Sequence, residues 1–169
     1  MERSTRFALR RELASQVVSV LELDDRVTAS LGVAVQGRGD PWIRWRLERH
    51  LAETHRQRRG LERRLVALHG PAALARNSRW TDSNLAEHLV AAVTADSPGT
   101  NARAAYAVEQ LEVAAYEQLE LLALKADDAE TASIARMHAR CDRTMARFIG
   151  ANWDRVLDLI LAQDGGAGG

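Results

Sequence analysis

Leu13, Val17, Val20, Val27 and Leu31 fall within roughly 40° of one line when residues are placed at about 100° per step on a helix. One position on that line lacks an apolar residue, and Asp24 stands there. Further along, Val108, Ala115, Leu119 and Leu122 draw a second line, with Glu112 at the missing core position and Glu109 one turn before it. A third consists of Met137, Cys141, Met145 and Phe148; His138 lies beside it and Asp142 at its margin, four residues on. Between the first two, Leu47, Leu51, Thr54 and Leu61 face inward less cleanly, with His50 near their stripe and Glu53 at its edge beside Gln57. No stretch sustains a two-residue alternation, and β-branched and aromatic residues are too sparse for a sheet.

Glycine and proline divide the pattern. Helix one starts near Ser4 and runs to "GRG" at 37–39; Asp40 then reads as an N-cap with Pro41 at the first helical position. Helix two continues to "HGP" at 69–71, a stop signal. "NLAEHLVAAV" at 84–93 forms a short connecting helix between a cap at Asp82 or Ser83 and the break "DSPG" at 96–99. Helix three spans 101–125, and helix four follows "DDAE" at 127–130 and continues to about 163. The expected fold is all-α: a four-helix bundle with a short extra helix in the long connection between helices two and three. Residues 1–163 form one domain, and 164–169 a flexible Gly-rich tail without side chains to bury.

Composition then removes several function classes. The chain has 169 residues, 46% of them hydrophobic, which is enough for one continuous core. Lys plus Arg equal Asp plus Glu at 23 each, so there is no bulk attraction to nucleic acid or to an anionic membrane. The basic run "RQRRGLERR" at 56–64 carries Leu61, with Leu65 next, at helical spacing and reads as a solvated helix face. Cys141 is the single cysteine, which excludes an internal disulfide and fits a reducing compartment. No apolar run approaches a membrane span, and the N-terminus lacks a signal peptide's apolar centre, so a cytoplasmic location is expected. There is no Ser-His-Asp arrangement, phosphate-cradling glycine loop or Cys-x-x-Cys pair on which to build a hydrolase, a nucleotide site or a zinc ribbon. His55, His69 and His88 read as solvated, Cys141 as a small buried hydrophobe, and Tyr106 and Tyr116 as residues of the bundle's edge. Trp42 and Trp45, partly on the polar side of helix two, cover a helix end or anchor a subunit contact.

A carboxylate in an apolar stripe loses several kcal/mol of hydration unless something compensates it. Either arginines and lysines reach in, or metal ions are held between facing helices. Bundles of this length build carboxylate-bridged di-iron or di-manganese sites from inward-facing Glu and His. Such oxygen and imidazole ligands, with an open coordination position, permit oxygen or peroxide chemistry.

Three stretches, "DPWIRWRLERHLAETHRQRRGLERRL" (40–65), "AVEQLEVAAYEQLELLA" (107–123) and "CDRTMARFI" (141–149), resemble the bacterial stress-induced ferritin-like proteins of the YciF type, and their order extends the resemblance over about 15–160. Members commonly read Glu-His-Tyr-Glu-x-Ala-Ala-Tyr in the second stretch, a frame kept by Glu109, Glu112, Ala114, Ala115 and Tyr116. His50, Leu51, Glu53 and Thr54 match the family's His-Leu-x-Glu-Thr, and Leu23 with Asp24 stands where members carry Ala-Glu. The resemblance implies a ferritin-like fold, a homodimer, a stress-related role and a two-metal centre of iron or manganese. Its oxygen ligands would be Asp24, Glu53, Glu109, Glu112 and Asp142, its nitrogen ligand His138 or His50, and Tyr116 could bond a site carboxylate. The chain departs from the family at Gln110, where members carry His, at Asp24, one methylene shorter than Glu, and near Cys141 and Asp142, where they carry paired glutamates. Neither helix two nor helix four contains Glu-x-x-His. The competing expectation is a metal-free homodimeric bundle that serves as an interaction module, its acids paired with arginines.

Overall fold

The structure, a computed structural model, describes residues 2–36, 41–69, 88, 91–93 and 98–166. Five helices have defined bounds: α1 (Glu2–Gln36), α2 (Pro41–His69), α3 (Pro98–Lys125), α4 (Ala129–Gly150) and α5 (Trp153–Gly166). Residues 88 and 91–93 are also helical, and no strand occurs among the described residues. The described residues are therefore all-α. The turn at 37–39, the Asp40 cap, residues 70–71, the caps at Asp82 and Ser83, most of the 84–93 helix, residues 96–97 and residues 167–169 of the tail lie outside the described residues. No helix among the described residues is long and apolar enough to cross a membrane.

Helix α1 packs on α2 and α3, and α4 packs on α3 and α2, so these four close around a common interior. The expected stripes supply much of it: Leu13, Val17, Val20, Val27, Leu31, Leu61, Val108, Leu119 and Met145 are buried. The interior is nevertheless not one continuous apolar mass. One cluster joins Leu13 to Leu21 of α1 with Leu61, Leu65, Leu119 and the alanines 132, 135 and 139 of α4. A second joins Leu23, Val27 and Leu31 with Val93, Ala104 and Val108. Asp24, Glu109 and Glu112 fall along α1 and α3 where one cluster gives way to the other.

The α3–α4 connection is determined by local chemistry. Asp127 adopts φ 57, Asp128 N donates to Ala123 O at 2.9 Å and Asp127 N to Leu124 O at 3.3 Å, the paired bonds that close a helix through a left-handed residue. Asp128 then caps α4, its Oδ1 accepting from Thr131 N at 3.0 Å, while its Oδ2 accepts from Arg64 Nη2 of α2 at 2.5 Å. Burial opposes ionisation of Asp128, but the bonds from Thr131 and Arg64 outweigh it and hold the carboxyl below its ordinary range. Asp128→Ala removes both the cap and an interhelical tie. We expect a loss of about 1–3 kcal/mol in urea unfolding at pH 7. A loss under a few tenths would mean that the hairpin is fixed elsewhere.

Two expectations are corrected. Helix four is broken rather than continuous to 163: residues 151–152 form a turn, Asn152 Nδ2 donates back to Phe148 O at 2.7 Å, and α5 restarts at Trp153. The turn directs α5 onto α3, where Trp153 meets Tyr106 with ring centroids 6.0 Å apart. Gly99 accepts this contact at close range, since a Cβ there would stand 2.6 Å from Ile160 Cδ1. Met137, expected in the α4 stripe, is 47% exposed, because the packed face of α4 is turned toward Ala132, Ala135, Ala139 and Ala146.

The basic run on α2 is only partly a solvated face. Arg56, Arg59 and Arg63 are exposed, but Arg58 pairs with Asp25 of α1 and with Glu62, and Arg64 ties α2 to α4.

Candidate metal centre

Each of the four long helices contributes at least one ionisable side chain to a single buried group. Asp24 comes from α1, His50 from α2, Glu109 and Glu112 from α3, and His138 and Asp142 from α4; none is more than 3% exposed. The spacings explain the convergence: positions 109 and 112, and positions 138 and 142, are one turn apart and share a helix face. Potential ligand atoms of His50, Glu109 and Asp142 all lie within 4.8 Å of one another. His50 Nε2 and Glu109 Oε1 are 3.1 Å apart.

Within the group, Tyr116 Oη donates toward Asp24, 2.7 Å from both Oδ1 and Oδ2. The Tyr116 ring lies against the His138 imidazole, centroids 4.4 Å apart. Tyr116 is thus a fully enclosed residue of the centre rather than one of the bundle's edge. Its position at i+4 from Glu112 and i+7 from Glu109 is the sequence signal for that placement.

Glu53 stands apart from this group. It faces Arg49 at 3.2 Å and Arg46 at 3.9 Å on the outer side of α2, and it lines a surface cleft with Trp42, Trp45, Cys141 and Phe148. His50, one turn earlier, takes the interior position on α2. Cys141 is half-buried and accepts from Gln57 Nε2 at 2.8 Å; burial pushes its thiol pKa up, away from the reactive thiolate. His55 and His88 are exposed, as expected of solvated residues, whereas the side chain of His69 lies outside the described residues.

The electrostatics follow from enclosure. Burial raises the Asp24 carboxyl to about 7, against the opposing pull of the Tyr116 hydrogen bond and the charges of Arg58 and His50. Burial, reinforced by the neighbouring carboxylates, holds Glu112 and Asp142 well above the usual range. His138 moves the other way, down to about 4, because burial disfavours the imidazolium more than the Gln57 backbone favours it. Near neutrality His138 is therefore a neutral imidazole, in the same group as Asp24, Glu112 and Asp142, acids that resist ionising. Arg58 offsets this only in part, its guanidinium being shared with Asp25 and Glu62.

Five buried polar atoms of the group lack a hydrogen-bond partner among the described residues: His50 Nδ1, Glu109 Oε2, Glu112 Oε2, His138 Nε2 and Asp142 Oδ2. Natural interiors rarely leave such atoms unsatisfied, at about 1–3 kcal/mol each. These atoms are lone-pair donors in the ionised carboxylates and neutral imidazoles. Of these residues His50, Glu109 and Asp142 place potential ligand atoms close enough together to hold a cation, and contact of His138 with the Gln57 backbone is how a ligating imidazole is usually oriented.

Solved structures share the fold. A crystal structure of a protein from Xanthomonas campestris pv. campestris aligns with a TM-score of 0.72 at 21% identity, covering 93% of this chain and 99% of the other. The structure of YcfI from Rhodopseudomonas palustris aligns with a TM-score of 0.69 at 15% identity, covering 84% and 92%. No curated protein matches the chain. Residues 15–156, from the first turns of the α1 core through α4 and into α5, match the family described as "Domain of unknown function (DUF892)", and the chain belongs to that family.

Proposed function

We propose that this protein is a ferritin-like metal-binding protein of the YciF type, holding two iron or manganese ions among its four long helices. The observation that carries the reading is the set of buried, unpartnered donor atoms on His50, Glu109, Glu112, His138 and Asp142. With Asp24 they amount to four carboxylates and two imidazoles, the composition from which two-metal carboxylate centres are built in helical bundles. The missing Glu-x-x-His motifs are replaced by His50 on α2 and by His138 with Asp142 on α4. Charge supports the count: four ionised carboxylates are neutralised by two divalent cations, whereas one cation leaves two buried negative charges. Oxygen and nitrogen donors without thiolate suit iron and manganese. Such ions would supply redox chemistry toward oxygen or peroxide, and a stress-related role follows from the resemblance.

Elemental analysis of protein purified without chelator, and again after anaerobic loading with Fe2+ or Mn2+ and desalting, tests the reading. We expect close to two ions per chain and a higher melting temperature. Less than a tenth of an equivalent in both preparations would leave the metal-free bundle as the function. That second reading draws on the stacked Trp42–Trp45 pair, with ring centroids 5.0 Å apart and each residue nearly half exposed, as an anchor for a second copy of the chain. Sedimentation of the same preparation reads its oligomeric state.

A further inference from the structure

A cleft of about 470 Å3 opens on the surface between the first half of α2 and the second half of α4, and none of the six buried donors lines it. One wall is aromatic. Trp42 and Trp45 stack with ring centroids 5.0 Å apart and 16° between their planes, and Phe148 of α4 meets Trp42 at 6.2 Å. The remainder is cationic. Arg46 lies 5.9 Å from the centroid of the Phe148 ring, and Arg49 stands at the same distance over Trp45. Glu53, the one carboxylate in the lining, is shared between Arg46 at 3.9 Å and Arg49 at 3.2 Å. Arg140 of α4 is exposed at the cleft and has no acidic partner among the described residues. Three guanidiniums against one carboxylate leave an excess of positive charge here, in a chain whose net charge is zero.

We propose that this cleft binds a small planar aromatic carboxylate, its ring against the Trp42–Trp45 wall and its charge on Arg140. The inference goes beyond the metal-binding reading and uses none of its donors, so either stands if the other fails. The volume falls within the roughly 300–1,000 Å3 of small-molecule sites, which are likewise mostly apolar with a few placed polar groups. A flat ring stacks on tryptophan through dispersion and the ring quadrupole, and a guanidinium fork matches the two oxygens of a carboxylate. Arg46 and Arg49 are already held by Glu53 and by the rings beside them, so binding orders little there. Charge also decides between a small anion and a second copy of the chain. A copy docked on this cleft by two-fold symmetry would set the three guanidiniums opposite their own equivalents. A carboxylate ligand instead offsets their excess.

Calorimetric titration of the purified protein with 2-naphthoate should give a Kd on the order of 0.1 mM, about what a dozen ligand atoms yield at ordinary efficiency. The amide 2-naphthamide keeps the rings without the charge and should bind at least ~10-fold more weakly. Decahydro-2-naphthoate keeps the charge without the flat face and should bind at least ~3-fold more weakly. Trp45 and Arg140 are exposed, so replacing them leaves the core intact. Arg140→Gln should weaken 2-naphthoate by roughly 10-fold and Trp45→Leu by roughly 3- to 10-fold. Arg59→Gln, at an exposed arginine of α2 outside the cleft, should leave the Kd within about 2-fold. A Kd above about 5 mM, equal binding of the amide, or equal losses in Arg140→Gln and Arg59→Gln overturns the proposal. Sedimentation of the parent and of Trp45→Leu reads the other occupant. A parent dimer that this substitution dissociates, with no 2-naphthoate bound, makes the cleft a contact between copies and overturns the proposal as well.

Discussion

Replacing Asp24 by Leu and Tyr116 by Phe in one chain raises the melting temperature of the metal-free protein and shrinks the further rise that Mn2+ gives the parent. Asp24 is 0% exposed, and among the described residues only the Tyr116 hydroxyl bonds its carboxylate. Exchanging a buried polar pair for apolar side chains of similar combined volume is neutral or stabilising by about 1–4 kcal/mol. In a chain of this size that is roughly 2–4 °C per kcal/mol. Both substitutions are needed. Asp24→Leu alone leaves the Tyr116 hydroxyl buried without an acceptor, which costs about 1–3 kcal/mol and conceals the gain. The hydroxyl removed from Tyr116 also frees some of the space that the longer Leu requires. Metal acts in the opposite direction, because a ligand that binds only the folded state stabilises by about 2.7 kcal/mol at a hundredfold excess over its Kd. The double variant retains His50, Glu109 and Asp142 and so keeps part of that gain. An equal Mn2+-induced rise in parent and variant would exclude Asp24 as a ligand, and a metal-free variant less stable than the parent would show the acid to be well compensated without metal.

The parts of this centre visible in the sequence are those where a carboxylate interrupts a line of large apolar residues. Asp24 and Glu112 meet that condition, and both are enclosed. Glu109 lies on a less apolar line, and its burial depends on His50 approaching from α2, a contact between helices that periodicity does not encode. The orientation of α2 was the least legible feature. His50 and Glu53 are one turn apart at the margin of the same weak stripe, and the choice between them is made by Arg46 and Arg49, which draw Glu53 outward. On α4 the line through Met137 and Cys141 gave weight to large side chains. The helix instead packs through Ala132, Ala135, Ala139 and Ala146, whose small size lets it lie close to α3. That rotation carries Asp142 from the margin of the stripe into the interior and leaves Met137 outside. The break at 151–152 has no proline to announce it. It follows from the seat that Gly99 and Tyr106 offer α5 on α3, a tertiary fact.

The pH dependence of stability should change sign with metal. In chelator, the parent should lose stability as pH rises from about 5 to 7. The Asp24 carboxyl is raised by burial to about 7 from its ordinary 3.8, so between those values the folded state holds a proton that the unfolded chain has released. Stability then falls by about 1.4 kcal/mol per pH unit for each proton retained. Burial and neighbouring charge raise Glu112 and Asp142 in the same direction. His138 opposes them: lowered from 6.5 to about 4, it stays neutral when folded while the unfolded chain takes up a proton, so its contribution is lost as pH falls through that window. One imidazole against three carboxyls leaves the downward slope in control. Asp128, with its lowered pKa, contributes only in the acid range below about 4 and does not alter the sign here. In saturating Mn2+ the carboxylates must be ionised and the imidazoles neutral in order to ligate, so the folded state gives up the protons it held. The unfolded histidines still take up protons below about 6.5. Stability should then rise from pH 5 to 7 and level off. Urea unfolding at half-unit steps, with and without Mn2+, reads both slopes. A flat or rising curve in chelator would show the buried acids to be ionised and paired within the protein, and identical slopes in the two series would separate these acids from any metal the protein binds.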